Sequence, residues 1–158
     1  MAKYFDTLSQ EDRQILKDAF VSITLLIASA EGNLNDAEIN EAINTIKVRG
    51  YEANHIFYEF YDEIGQDFTQ KLTDARTTAT ISRESEDLYA NQISRVNAVF
   101  DKLPNSVSRR LYQDYLSFAH RIANASGGIL GFATISREER VLIHLPMIHP
   151  IISEEEEE

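Results

Sequence analysis

Apolar residues recur at spacings of three and four along almost the whole chain, and the strict alternation of a half-buried strand is nearly absent. That pattern predicts an all-α fold. Ser9 is a good N-cap, with Asp12 in the first turn of the helix it opens. The helix carries Ile15, Ala19, Ile23, Leu26, Ile27 and Ala30 on one stripe, and its second half adds Phe20, Val21 and Leu25 on other sides. A helix that turns apolar all round is one that neighbours surround, so this one is expected at the centre. Gly32 stops it, because the residue after a helix usually needs positive φ and glycine adopts that at little cost. Asn35 starts the next helix, with Glu38 at capping-box spacing. Ile39, Ala42, Ile43 and Ile46 face inward, and Gly50 reads as the end of that helix.

Residues 52 to 64 carry Ile56, Phe57, Phe60, Tyr61 and Ile64 at helical spacing, closed by Gly65. Phe68, Leu72, Ala75 and Ala79 predict a weaker fourth helix, and the Ser- and Thr-rich stretch Thr77 to Ser85 predicts a break. Tyr89, Ile93, Val96, Phe100 and Leu103 form a clear stripe ended by Pro104. Asn105 or Ser106 caps a further helix with Val107, Leu111, Tyr115, Phe118, Ile122 and Ala125 on one face. Ser126 to Thr134 is a glycine-rich loop. Ser136 with Glu139 is a capping box for a short helix to about Leu145. Pro146 and Pro150 predict an extended tail. Glu154 to Glu158 is expected to be disordered, because like charges repel and nothing apolar is there to bury.

The length of 158 residues suits one domain with a single core, over 1–150, followed by the acidic tail 151–158. With no cysteine, disulfides, zinc-thiolate sites and a catalytic thiol are excluded. The net charge is −11, and removing the Glu154 to Glu158 run leaves about −6. No phosphate-binding face is suggested, so nucleic acid is not an expected partner. The longest apolar run, Ala19 to Ala30, is about a dozen residues, whereas a membrane span needs roughly 20. The opening residues lack the charged-then-apolar pattern of a signal peptide. The expectation is a soluble, cytoplasmic protein without direct membrane insertion.

The chain also repeats itself. Ala28-x-Ala30-x-Gly32 aligns with Ala123-x-Ala125-x-Gly127, and Leu34-Asn35-x-x-Glu38 with Ile135-Ser136-x-x-Glu139 when the second loop is allowed to be longer. The alanines let a second helix approach the end of the first closely. This pattern, seen twice in an all-helical chain of this length, resembles the TerB-like tellurite-resistance family, which takes in the N-terminal domain of a membrane co-chaperone. The resemblance spans roughly residues 10 to 145. It implies a compact bundle of about seven helices with two pseudo-repeated helix-loop-helix halves. It also implies a cytoplasmic stress-response protein with no established catalytic activity, and metal binding near the acidic loops. The acidic position is Glu31 in the first copy and Ser126 in the second.

Glu31, Asn33, Asn35, Asp36 and Glu38 gather oxygen atoms in one turn, and calcium takes about six to eight oxygens. The turn is not an EF-hand, since its glycine comes too early and the loop is too short for a closing bidentate glutamate. Two readings are open. Asn35 and Glu38 cap the helix while Glu31 is solvated; or Glu31, Asp36, Glu38 and, from the second copy, Glu139 are ligands of a weakly bound divalent cation, calcium or magnesium.

His120 reads as a hydrogen-bonded residue at the core margin, with a metal or acid–base role as the alternative. His144 and His149, with Pro146 between them, do not share a helical face, so those two are not expected to chelate. Tellurite reduction wants a soft thiol, and none is present. Gly127-Gly128 follows no strand and is not a nucleotide fingerprint. The cluster Phe57, Tyr58, Phe60 and Tyr61 reads as core with some aromatic area left exposed.

The expected function is therefore non-enzymatic, through contacts with a protein partner or in a homodimer, and no catalytic residue is assigned. The alternative is a metal-dependent hydrolase using Glu31, Glu38, Glu139 and His120. The sequence has no His-Asp pair of the kind that helical metal hydrolases carry.

Overall fold

Ser9 accepts a hydrogen bond from the Asp12 amide at 3.0 Å and so opens α1, Gln10–Glu31. The computed structural model of the protein describes residues 5–51, 57–78, 81–126 and 142–151. Gly32 ends α1 in the left-handed region, at φ 89°. Its N–H reaches the Ser29 carbonyl at 3.2 Å, and the Asn33 N–H reaches Ala28 at 3.1 Å. This crossed pair satisfies carbonyls that the end of the helix would otherwise leave open.

The remaining helices are α2 (Asp36–Tyr51), α3 (Tyr58–Gly65), α4 (Phe68–Thr78), α5 (Glu86–Ser94), α6 (Val96–Phe100) and α7 (Asn105–Ser126), with a 3₁₀ turn at Arg83–Ser85 before α5. The result is an all-α, compact helical bundle, with no strand among the described residues. Only Arg95 separates α5 from α6, and it keeps helical dihedrals of φ −62° and ψ −22°. The pair is one bent helix, so the described residues hold six helices rather than the expected seven or so.

The central placing of α1 holds. It packs against α2, α4, α5, α6, α7 and the 3₁₀ turn, and it is buried almost all round from Ala19 to Ala30. The hydroxyls that interrupt its apolar run each find a partner. Thr24 donates back to the Phe20 carbonyl at 2.9 Å, and Ser22 donates to Gln92 at 2.9 Å. Ser29 lies 3.1 Å from Ser85, whose own proton goes to the Ser82 carbonyl. Partnering offsets the desolvation of each hydroxyl. It also shows what the Ser- and Thr-rich break does: α4 stops at Thr78, and Ser85 docks the next turn against α1.

Phe20 is the hub of the core. Its ring centroid lies 5.4 Å from Tyr61, 4.8 Å from Tyr115 and 5.1 Å from Phe118. Phe5 extends the aromatic cluster to Phe57 and Phe60, at 5.4 and 4.8 Å. Phe57, Phe60 and Tyr61 are core, as their spacing suggested, and Tyr58 is the exposed member of that cluster.

Three boundaries differ from those read in the sequence. Gly50 does not end α2, which runs on to Tyr51. A Cβ on Gly50 would stand 3.2 Å from the Asp62 nitrogen and 3.3 Å from its Cα. Gly50 is there because α2 crosses α3 at backbone contact, not because the chain turns. The cap of α7 lies one residue earlier than expected: the Pro104 carbonyl accepts from the Val107 and Ser108 amides, and Asn105 is already helical.

Around Pro146 the chain is not extended. Leu145 donates to the Leu142 carbonyl and Ile148 to the Leu145 carbonyl, forming two tight turns. Leu145 takes a left-handed φ of 48°, and its side chain is buried together with Ile143 and Ile148. Burial of that apolar triplet drives the turns, which the fixed φ of proline tolerates.

Candidate functional site

The acidic turn between α1 and α2 is dominated by helix initiation. The Asn35 Oδ1 accepts from the Glu38 N–H at 2.9 Å, and the Glu38 Oε1 accepts from the Asn35 N–H at 3.1 Å. This is a reciprocal capping box with Asn in place of Ser or Thr. Glu38 is fully buried in it. Asp36 points the other way, into solvent, where its carboxylate meets Arg76 of α4 at 2.6 Å. Glu31 is half-buried at the C-terminal end of α1. A carboxylate gains nothing from the helix dipole at that end, so helix formation does not explain this residue. Glu139, Ser136 and the glycine-rich loop lie outside the described residues, as does the tail from Glu154. Among the described residues no group of three or more His, Cys, Asp or Glu could hold a metal ion.

The two helices that carry the repeat have the same length, 22 residues each. Ala28 and Ala30 at the end of α1 are buried, and so is Ala123 near the end of α7. The small residues therefore sit at packed helix ends.

A second concentration of polar chemistry lies inside the bundle, where α2, α3 and α7 meet. Tyr61 donates to the Asp114 Oδ2 at 2.8 Å. One guanidinium nitrogen of Arg49 donates to the Tyr61 hydroxyl at 2.9 Å and to the Asp114 carbonyl at 3.2 Å. The other reaches Ser117 at 3.4 Å. The Arg49 guanidinium also lies over the Tyr61 ring, 5.2 Å from its centre. Burial pushes the Tyr61 phenol well above its ordinary pKa, and the Asp114 charge adds to this while Arg49 opposes it. Tyr61 is thus a permanent proton donor near neutral pH and not a base. The cluster joins three helices through hydrogen bonds, and its role is structural.

This cluster left a trace in the sequence. Asp114 falls between Leu111 and Phe118 on the apolar stripe of α7, and Arg49 stands one turn after Ile46 on the inner face of α2. A charged residue on a buried stripe signals a buried partner.

The surface offers an open groove of about 610 Å³ between α1, α4 and α5. Ile15, Ala19, Val21 and Ala75 form its apolar floor, all packed on the core. Its rim carries both signs of charge: Lys71 bridges Asp18 at 3.0 Å and Asp67 at 3.3 Å, and Arg95 stands at the α5 end.

On another face, His120 of α7 and His144 of the C-terminal turns meet edge to face, with ring centroids 5.9 Å apart and planes at 78°. Both are exposed. His120 is therefore a surface residue rather than one at the core margin. Sequence spacing could not pair it with His144, since only the docking of residues 142–151 brings the two together.

No helix among the described residues is long and apolar enough to cross a membrane. The chain matches no protein-family profile, no curated protein and no solved structure.

Proposed function

We propose that this chain is a non-enzymatic, TerB-like domain that acts in stress response by holding a protein partner. The groove between α1, α4 and α5 is the observation that supports it. Its apolar floor of Ile15, Val21 and Ala75 is half-buried, flanked by helices and rimmed by charge. Such a shape accepts the apolar side of an amphipathic helix, with the rim setting its direction. In this reading Glu38 is a helix cap and Asp36 is the partner of Arg76. A divalent cation, calcium or magnesium, bound weakly at the acidic turn of Glu31, Asp36 and Glu38, with Glu139 from the second copy, is a subordinate part of the same proposal.

The test is complementation. Cells lacking the gene are challenged with tellurite or an oxidant, and growth is compared for wild type, Val21→Arg and Glu31→Ala. Each purified variant is first shown by circular dichroism to keep its helix content. Wild type restores growth and Val21→Arg does not. A Val21→Arg chain that protects as well as wild type removes the groove from the function. Calorimetry with calcium, magnesium and manganese, on wild type against Glu31→Ala/Asp36→Asn, tests the cation. Turnover of an ester or phosphoester by the manganese-loaded wild type, lost in Glu31→Ala, would replace the proposal with the hydrolase reading.

A further inference from the structure

The geometry points to a metal site separate from the groove and from the acidic turn. His120 and His144 form a two-imidazole site for a borderline divalent transition metal, with zinc as its representative. The ring centroids are 5.9 Å apart, and both side chains are exposed to a hydrated ion. An imidazole nitrogen binds zinc at about 2.0–2.1 Å, so two rings on one ion have centroids roughly 5 to 6.5 Å apart. The observed spacing falls in that range, and rotation of the two exposed side chains would bring a nitrogen of each to one ion.

The backbone under both ligands is held before any ion arrives. His120 sits in the interior of α7, next to Ala119, which is buried. His144 stands between Ile143 and Leu145, both buried, so its backbone is anchored on either side. The turns that carry it are tied down again further on. Asn97 donates to the Met147 carbonyl at 2.9 Å and accepts from the His149 N–H at 2.9 Å. Backbone preorganisation of this kind lowers the entropy cost of bringing two ligands together.

The donor type decides the ion. Neutral imidazole suits zinc, copper and nickel, whereas calcium and magnesium take oxygen ligands. The adjacent cation, Arg121, is turned to Glu41 at 3.6 Å. A net charge of −11 attracts cations to the molecule as a whole. Water fills the other positions on the ion. Bound there, the metal staples the C-terminal turns to α7.

The experiment uses the full chain, stripped of metal, with zinc chloride as the probe. Calorimetry gives one zinc per chain, and melting rises by about 3–5 °C at a zinc concentration tenfold above the dissociation constant. His120→Ala and His144→Ala each weaken binding by at least about tenfold. His149→Ala binds as wild type does, and calcium and magnesium leave the melting temperature unchanged. Zinc-induced changes in the imidazole NMR signals of the wild-type chain, confined to His120 and His144, give the same answer without any variant. Three results overturn the site: no zinc bound by wild type, zinc affinity preserved in both His120→Ala and His144→Ala, or imidazole shifts at other histidines. The first of these would leave the two rings as an edge-to-face contact only.

Discussion

Tyr61 donates its phenolic hydrogen bond to Asp114, 2.8 Å away, and both residues are buried. A carboxylate at that depth depends on its donors. Tyr61→Phe keeps the ring packing against Phe20 and removes one donor, which is expected to cost about 2–3 kcal/mol. Asp114→Ala leaves the buried Tyr61 hydroxyl without its carboxylate acceptor, while Arg49 keeps the backbone carbonyl of residue 114, and is expected to cost about 1–3 kcal/mol. Urea unfolding checks both: the midpoint falls, and the slope stays that of wild type. A Tyr61→Phe chain as stable as wild type would mean that the cluster adds nothing to stability.

High pH acts on the same place. Tyr61 and Tyr115 both have pKa values raised well above the ordinary 10, first by burial and then by the Asp114 charge. Their folded-state values lie above the unfolded ones. The stability linked to them is therefore fully present below about pH 10 and is lost as pH rises beyond it, because the unfolded chain releases protons that the folded chain retains. Each phenol is expected to lower stability by about 1.4 kcal/mol per pH unit there. Tyr115→Phe, which also loses the bond to the Leu16 carbonyl, should roughly halve that slope. In a pH titration, part of the tyrosinate absorbance should appear only as helical ellipticity disappears.

Gly32 and Gly50 make opposite demands and should fail for opposite reasons. Gly32 has φ 89° with open space around an added Cβ, so Gly32→Ala meets only the left-handed backbone penalty, about 1–2 kcal/mol. Gly32→Asn should recover part of it, since asparagine tolerates that region. Gly50 lies inside α2, where alanine would gain about 1 kcal/mol in helix propensity. A Cβ there meets the backbone of Asp62 at 3.2 Å, which cannot swing aside. Gly50→Ala is expected to lower the melting temperature in spite of its propensity. A rise would show that α2 and α3 separate easily.

The capping box of α2 separates shape from charge. Glu38→Gln keeps both the reach to the Asn35 amide and the side-chain volume, and should cost well under what Glu38→Ala does. Asn35→Ala removes the side-chain acceptor for the Glu38 amide and should cost about 1 kcal/mol. Thermal melts of the three variants give the order Gln, then Asn35→Ala, then Glu38→Ala, in falling stability. Equal losses for Gln and Ala at position 38 would show that the Glu38 charge carries the stabilisation instead of the cap geometry.

Local rules made much of this protein legible in its amino-acid order. The Ser9 cap, the Gly32 stop, the Asn35–Glu38 box and the break before Ser85 each depend on residues within one or two turns, and each stands in the structure. The apolar faces of α1 and α7 were legible for the same reason, since burial follows the helical repeat. That was enough to establish an all-α bundle with α1 at its centre. Gly50 reads as a stop because a glycine that ends a helix and one that lets two helices touch look alike in one dimension. Only the approach of Asp62 tells them apart. Arg49 with Asp114, and His120 with His144, are partners across different elements. Their pairing is set by helix crossing and by the docking of Ile143, Leu145 and Ile148, which no periodicity encodes. Periodicity shows which face of a helix turns inward; only packing decides what that face meets.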